Sequence, residues 1–130
     1  MLLIFRKGGL RRFKPYDELR YASKYTKEER DNWFTQIWDI VGVKQTMPDV
    51  ERRVAAFPEI IPYRLIRMFS VIGDTVLDPF LGTGTTTKVA ISLNRNSIGY
   101  EIDEGLMPVI REKIDEVKVE NPNCSVKFVS

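Results

Sequence analysis

Hydrophobic residues recur along this chain in two rhythms, a helical one of three and four and short continuous runs typical of strands, and their order predicts the fold. From Pro58 the spacing is helical, with Ile61, Leu65, Met68 and Phe69 on one stripe and Arg64 and Arg67 on the other. Pro62 fits such a helix only near its start, where its missing N–H is not needed. A strand over Thr75 to Leu77 follows, then a helix from about Thr85 to Leu93 and a strand over Ser97 to Glu101. Next comes a helix with Leu106, Val109, Ile110, Ile114 and Val117 on its apolar face, and a last strand over Ser125 to Val129. This βαβαβ order predicts an α/β fold: a mainly parallel sheet flanked by helices and joined by right-handed crossovers.

The first half is less regular. Leu2, Leu3, Ile4 and Phe5 read as a buried strand stopped by Lys7-Gly8-Gly9, and a core strand this early suggests that the chain starts inside a larger fold. Residues 8 to 25 are basic and aromatic with Pro15 as a breaker, and read as a loop. Thr26 and Glu29 form a T-x-x-E capping box, which predicts a helix to about Trp33 or Phe34. Gln36 to Val43 alternates loosely as a short strand would, and Gly42 and Pro48 mark a second irregular stretch. The expected organisation is a single, incomplete domain over residues 1–130. An N-terminal strand, loop and helix would occupy 1–50 and a ligand-binding core 51–130.

Composition narrows the class. A length of 130 residues with 43% hydrophobic and 29% charged content suits one ordinary domain. The apolar opening is too short to cross a bilayer and lacks a cleavage-site pattern, so no membrane or export role is expected. Cys124 is the sole cysteine, which fits a reducing compartment and points to the cytoplasm. The absence of histidine excludes histidine bases, Ser-His-Asp triads and histidine-ligated metals from this chain. Net charge is only +2, yet Arg6, Lys7, Arg11, Arg12 and Lys14 occur without an acid among them, while residues 101–120 are mostly acidic. The basic run is either a solvated segment or a phosphate-contacting one.

The stretch that carries chemistry is Val76-Leu-Asp-Pro-Phe-Leu-Gly-Thr-Gly-Thr-Thr-Thr87, placed where a strand turns into a helix. Gly82 and Gly84 allow a tight turn and close approach of a ligand, and the helix start offers free N–H groups. The dinucleotide fingerprint fails because Thr87 stands at its third glycine, and the phosphate loop fails because Thr85 follows Gly84 where lysine is required. Glu101 lies 23 residues after Asp78, about where an acid meets the two hydroxyls of a ribose. An adenosine-containing ligand without a pyrophosphate fits best. Glu101 could instead be a helix-start acid, a role that Asp103 and Glu104 fill equally well.

Together, Asp78-Pro-Phe-Leu-Gly-Thr-Gly-Thr-Thr and Asn94-Arg-Asn-Ser-Ile-Gly-Tyr-Glu-Ile-Asp103 resemble the S-adenosylmethionine motif and the following acidic motif of N4-cytosine and N6-adenine DNA methyltransferases. Upstream, Arg53-Val-Ala-Ala-Phe-Pro-Glu-Ile-Ile-Pro-Tyr-Arg-Leu-Ile66 resembles the segment before the cofactor motif in the subgroup whose catalytic half comes first. Gln36-Ile-Trp-Asp39 and the opening Leu-Ile-Phe-Arg-Lys-Gly-Gly resemble pieces lying between the halves of that subgroup. The likeness covers most of residues 1 to 8 and 34 to 104. It implies a partial Rossmann-like methyltransferase fold, S-adenosylmethionine as cofactor, DNA as substrate and a restriction-modification setting. By position it assigns Asp78, Phe80, Leu81, Gly82, Gly84, Thr85 and Thr86 to the methionine end of the cofactor, with Phe57 and Pro58 closing over it, Glu101 on the ribose and Ile102 on adenine. Plain core packing is the alternative for Phe57, Phe80 and Ile102. Arg53 stands where the family often has histidine.

That family methylates amino groups with an Asp/Asn/Ser-Pro-Pro-aromatic tetrapeptide that grips a flipped-out base. The chain contains no Pro-Pro dipeptide, and Asp78-Pro79-Phe80 runs straight into the glycine turn, so it belongs to the cofactor motif. Cys124 follows Asn123 rather than proline and reads as a semi-buried filler, not a C5-cytosine nucleophile. No catalytic or metal residue is therefore expected here, and the chain alone should be inactive. Its partner would be a protein carrying the catalytic motif, or a second copy covering the open strand edge. Two rival classes are a non-catalytic remnant acting as a DNA-binding or protein-interaction module, and a nicotinamide-dependent oxidoreductase, which Thr87 disfavours.

Overall fold

The computed structural model describes residues 2–42 and 57–129. Pro48, Arg53, the far end of the strand expected at 36–43 and the boundary expected near residue 50 lie outside them. The architecture is α/β. Three parallel strands, β1 (Thr75–Asp78), β2 (Asn96–Tyr100) and β3 (Val126–Val129), lie side by side in chain order. The register sets Leu77 beside Ile98 and Ile98 beside Lys127. The helices described are α1 (Glu18–Ala22), α2 (Lys27–Trp33), α3 (Ile60–Phe69), α4 (Thr85–Ser92) and α5 (Met107–Lys118). A single 3₁₀ turn, Glu104–Leu106, leads into α5.

Both crossovers advance across the sheet in the same direction, and a constant right hand then places α4 and α5 on one face. Two apolar clusters fill the space beneath them. Leu81, Leu106, Ile110 and Ile114 join Val126 and Phe128 at the β3 side, while Ile66, Val89 and Ala90 join Tyr63 and Val76 at the β1 side. Val76, Ser97 and Gly99 thus point to the helices, and the alternation of a strand sends Leu77 and Tyr100 to the other face. Leu77 is 59% exposed there. Among the described residues the helical layer covers one side of the sheet only.

The N-terminal helices attach to α3 through aromatic rings. Buried Trp33 packs edge-on against Tyr63 at a centroid distance of 5.9 Å and meets the tilted ring of Tyr25 at 6.0 Å. The capping box forms as its spacing predicts: Glu29 N–H donates to Thr26 Oγ1 at 3.0 Å, and Thr26 N–H to Glu29 Oε2 at 2.7 Å. Cys124 is buried, with its thiol pushed up by desolvation.

Four expectations fail. Leu2 to Phe5 form no strand and are exposed, and residues 36–42 form none either; a strand needs a neighbour to hydrogen-bond, and neither segment meets one among the described residues. The stretch read as loop holds α1, started by Asp17, whose side chain accepts from Arg20 N–H at 2.9 Å. In α3 the buried residues are Pro62 and Ile66, whereas Ile61, Leu65 and Phe69 of the expected stripe stay unburied along an open groove that Pro62 and Ile66 also border. That helix is apolar on two sides.

Candidate functional site

At the carboxyl end of β1 the Asp78 side chain turns the chain back, its Oδ1 accepting Phe80 N–H at 3.0 Å. Leu81 N–H then donates to the Tyr100 carbonyl at 2.9 Å, which ties the turn to the tip of β2. Gly82 and Gly84 follow at φ of +55° and +80°, conformations that L side chains enter only at a cost of about 1–2 kcal/mol. Gly84 caps α4 without a side chain, so the first N–H groups of the helix are not covered by a capping oxygen.

One residue past the end of β2, the Glu101 carboxylate bridges the two loops. Its Oε2 accepts Gly82 N–H at 2.8 Å and its Oε1 accepts Asp103 N–H at 2.9 Å. Asp78 and Glu101 therefore converge on one turn at the carboxyl ends of adjacent strands, where open parallel sheets place ligands. An ionised carboxylate offers about four lone-pair sites, so two accepted N–H bonds leave Glu101 able to receive two more donors. The helix-start role falls to Asp103, whose Oδ1 accepts Gly105 N–H at 2.9 Å.

The remaining expected residues differ in exposure and setting. Phe80 is 88% exposed and Ile102 is 94% exposed, so neither is a core residue. Phe57 and Thr86 line the same apolar groove, of about 510 Å³, and Pro58 lies half-buried just before α3. Thr85 opens α4 and is half-buried. Leu81 departs from expectation in its side chain, which is 3% exposed and packs on Ile110 and Ile114; only its backbone borders the turn. Among the described residues no group of histidine, cysteine, aspartate or glutamate is placed to hold a metal.

Two contacts that shape the site involve residues to which the motifs assign no role. A Cβ at Gly99 would lie 2.7 Å from Leu81 Cδ1 and 2.9 Å from Cδ2, so the turn sits on β2 only because residue 99 has no side chain. A lone glycine inside a strand is the sequence signal for such an approach. The second is Thr87, fully buried with its Oγ1 2.8 Å from Ser97 Oγ. Where the dinucleotide fingerprint uses a third glycine for close helix–strand packing, this fold uses a pair of hydroxyls.

Residues 1–112 match the N6/N4 methyltransferase family, described as DNA methylase. The chain belongs to the DNA methylase family. It is 75% identical over 113 residues to the type II methyltransferase M.MjaI of Methanocaldococcus jannaschii, an alignment covering 87% of this chain and 37% of the relative. To M.MthZI of Methanothermobacter thermautotrophicus it is 49% identical over 120 residues, covering 88% and 34%. Among solved structures, the Thermus thermophilus DNA modification methylase TTHA0409, crystallised in complex with S-adenosyl-L-methionine, superposes with a TM-score of 0.70 at 36% identity. That superposition covers 95% of this chain and 44% of the other. The chain spans about a third of the length of these curated relatives. Among the described residues no helix is long and apolar enough to cross a membrane.

Proposed function

We propose that the chain is the S-adenosylmethionine-binding part of a site-specific DNA methyltransferase that modifies an exocyclic amino group of adenine or cytosine, within a cytoplasmic restriction-modification system. The observation that carries this reading is the Glu101 carboxylate, held by two backbone N–H groups beside the glycine turn and poised to accept the two hydroxyls of a ribose. The cofactor, when bound, supplies an electrophilic methyl group. Asp78 sits where a carboxylate would receive the ammonium of the methionine end, and Gly82 and Gly84 let the backbone approach it. Exposed Phe80, Phe57 and Ile102 supply apolar cover for the ligand, with Pro58, Thr85 and Thr86 completing the rim.

The domain reading goes with it: residues 51–130 are the cofactor-binding core of one domain that is completed by further protein. The catalytic Pro-Pro motif, absent from this sequence, would come from that further protein, as a partner chain or as another part of a longer one. The uncovered sheet face around Leu77 and the position of β1 at the edge of the sheet support such a partner, because parallel sheets are normally covered on both faces. A second copy of the chain is the other occupant of that surface.

Titration calorimetry with S-adenosylmethionine and with its demethylated product tests the reading. Asp78→Ala and Glu101→Ala each remove hydrogen bonds to a charged group, worth about 1.5–3 kcal/mol, and should weaken binding at least tenfold. Unchanged binding in both variants removes the site assignment. Mass measurement of the purified chain addresses the partner: a well-behaved, unliganded monomer speaks against an uncovered interface.

A further inference from the structure

Of the chain's 20 basic and 18 acidic residues, seven and two lie in residues 1–25, which leaves 13 and 16 for the remainder. The positive surplus of the molecule is thus local, and the fold gathers four of these seven cations, with Arg67, into one place. Arg6, Arg11, Arg20, Lys24 and Arg67 line a single cavity of about 560 Å³ together with Phe13. This cavity lies at the amino ends of the strands: Arg11 Nη1 reaches both oxygens of Asp74, the residue before β1, at 2.7 and 2.8 Å. The cofactor turn follows the opposite end of the same strand.

Three features make the cavity a prepared anion site rather than a scatter of surface charges. The guanidinium carbons of Arg11 and Arg20 both lie over the Phe13 ring, 5.1 and 5.3 Å from its centroid, so one aromatic positions two like charges. Acids near the cavity are committed: Asp74 to Arg11, Glu29 to Arg67, and Asp17 to the start of α1. Arg6, Arg20 and Lys24 have no carboxylate partner among the described residues, and Arg67 Nε is buried there without an acceptor. Behind the cavity stands a further cation, Arg95, which is 2% exposed and bound to the backbone of Ser70 and Leu93. Burial and then the charge of Arg67 push its pKa down, as expected where cations outnumber anions.

We propose that this cavity is a sequence-independent site for the phosphodiester backbone of duplex DNA, at the end of the sheet away from the cofactor turn. Arginine forks match phosphate oxygens in pairs, and contacts to the sugar-phosphate backbone need no access to the stacked bases of a duplex. A duplex held here meets the end of β1 opposite the methyl-transfer turn, and contacts to phosphates alone read no base. The proposal does not rest on the cofactor assignment.

The test is fluorescence anisotropy of a labelled duplex of arbitrary sequence with the full chain and no cofactor, over a salt series. Three unpaired cations on phosphates predict a slope of log K against log salt of about −2.7, a loss of about 40-fold between 50 and 200 mM. Arg20→Gln with Lys24→Gln should flatten the slope to about −0.9, a loss of about 3.5-fold over the same range, and Arg6→Gln alone should remove about 0.9 of slope. Arg6 lies outside regular secondary structure, so its variant keeps the test valid should changes in α1 impair folding. Calorimetric binding of S-adenosylmethionine should be unchanged in all of them. Equal slopes in wild type and variants, equal losses from Arg111→Gln with Lys127→Gln on the far side, or competition by inorganic phosphate as strong as by unlabelled duplex would each overturn the proposal.

Discussion

Replacing Gly99 and Leu81, singly and together, probes how tightly the glycine turn is seated. Leu81 is 3% exposed among Leu106, Ile110 and Ile114, so Leu81→Ala opens a core cavity and should cost about 2–5 kcal/mol. Gly99→Ala inserts a methyl 2.7 and 2.9 Å from the two δ carbons of Leu81, an overlap that forces the side chain or the strand to shift and should cost about 1–3 kcal/mol. The double variant removes the very atoms the new methyl would strike, and the methyl refills part of the cavity. Its cost should therefore fall short of the sum by about 1–3 kcal/mol, against about 0.5 kcal/mol of scatter for independent sites. Urea unfolding followed by circular dichroism measures this. With a slope of about 1.5 kcal/mol per molar urea, the double variant should unfold roughly 1 M later than additivity requires. Additive costs would mean that the turn does not rest on residue 99 as described.

The other predictions concern polar groups. Thr87→Val strands Ser97 Oγ in the core and should cost about 1–3 kcal/mol, while Thr87→Val with Ser97→Ala should cost less than Thr87→Val alone; thermal unfolding distinguishes the two. Asp74 gives a pH signature. Burial alone would raise its carboxyl, but the Arg11 hydrogen bonds, the Val71 N–H and the charges of Arg11 and Arg95 outweigh burial and hold it below the ordinary range. Its folded pKa is thus below that of unfolded aspartate, about 3.9, so its contribution is complete above that value and fades as pH falls through the folded one. Acid unfolding below about pH 4 should be shallower in Asp74→Asn than in wild type, and identical acid curves would refute the assignment.

The second half of the fold is legible in the sequence because each of its elements carries its own signal. The helical period from Leu106 to Val117, the strand-like runs at 75–77 and 97–101 and the turn glycines all agree with the observed sheet. Leu2 to Phe5 and the α3 stripe misled for one shared reason: their apolar residues face open surface, and hydrophobicity shows that a face is to be covered but not by what. The helix α1 was hidden because a five-residue helix has little period, leaving Asp17 as its one marker. In the candidate site, Asp78, Gly82, Gly84 and Glu101 could be read from motif spacing. Gly99 carries the signal of a lone glycine in a strand, but its contact with Leu81, the pairing of Ser97 with Thr87 and the use of the Tyr100 carbonyl could not be read, since they are decided by which strand the turn lands on.

The most direct measurement is a crystal structure of the chain grown with saturating S-adenosylmethionine. The cofactor should lie across the turn after Asp78, with both ribose hydroxyls on Glu101 and the methionine end over Gly82 and Gly84. Ligand density elsewhere on the molecule, or an empty turn at saturating concentration, would contradict the account.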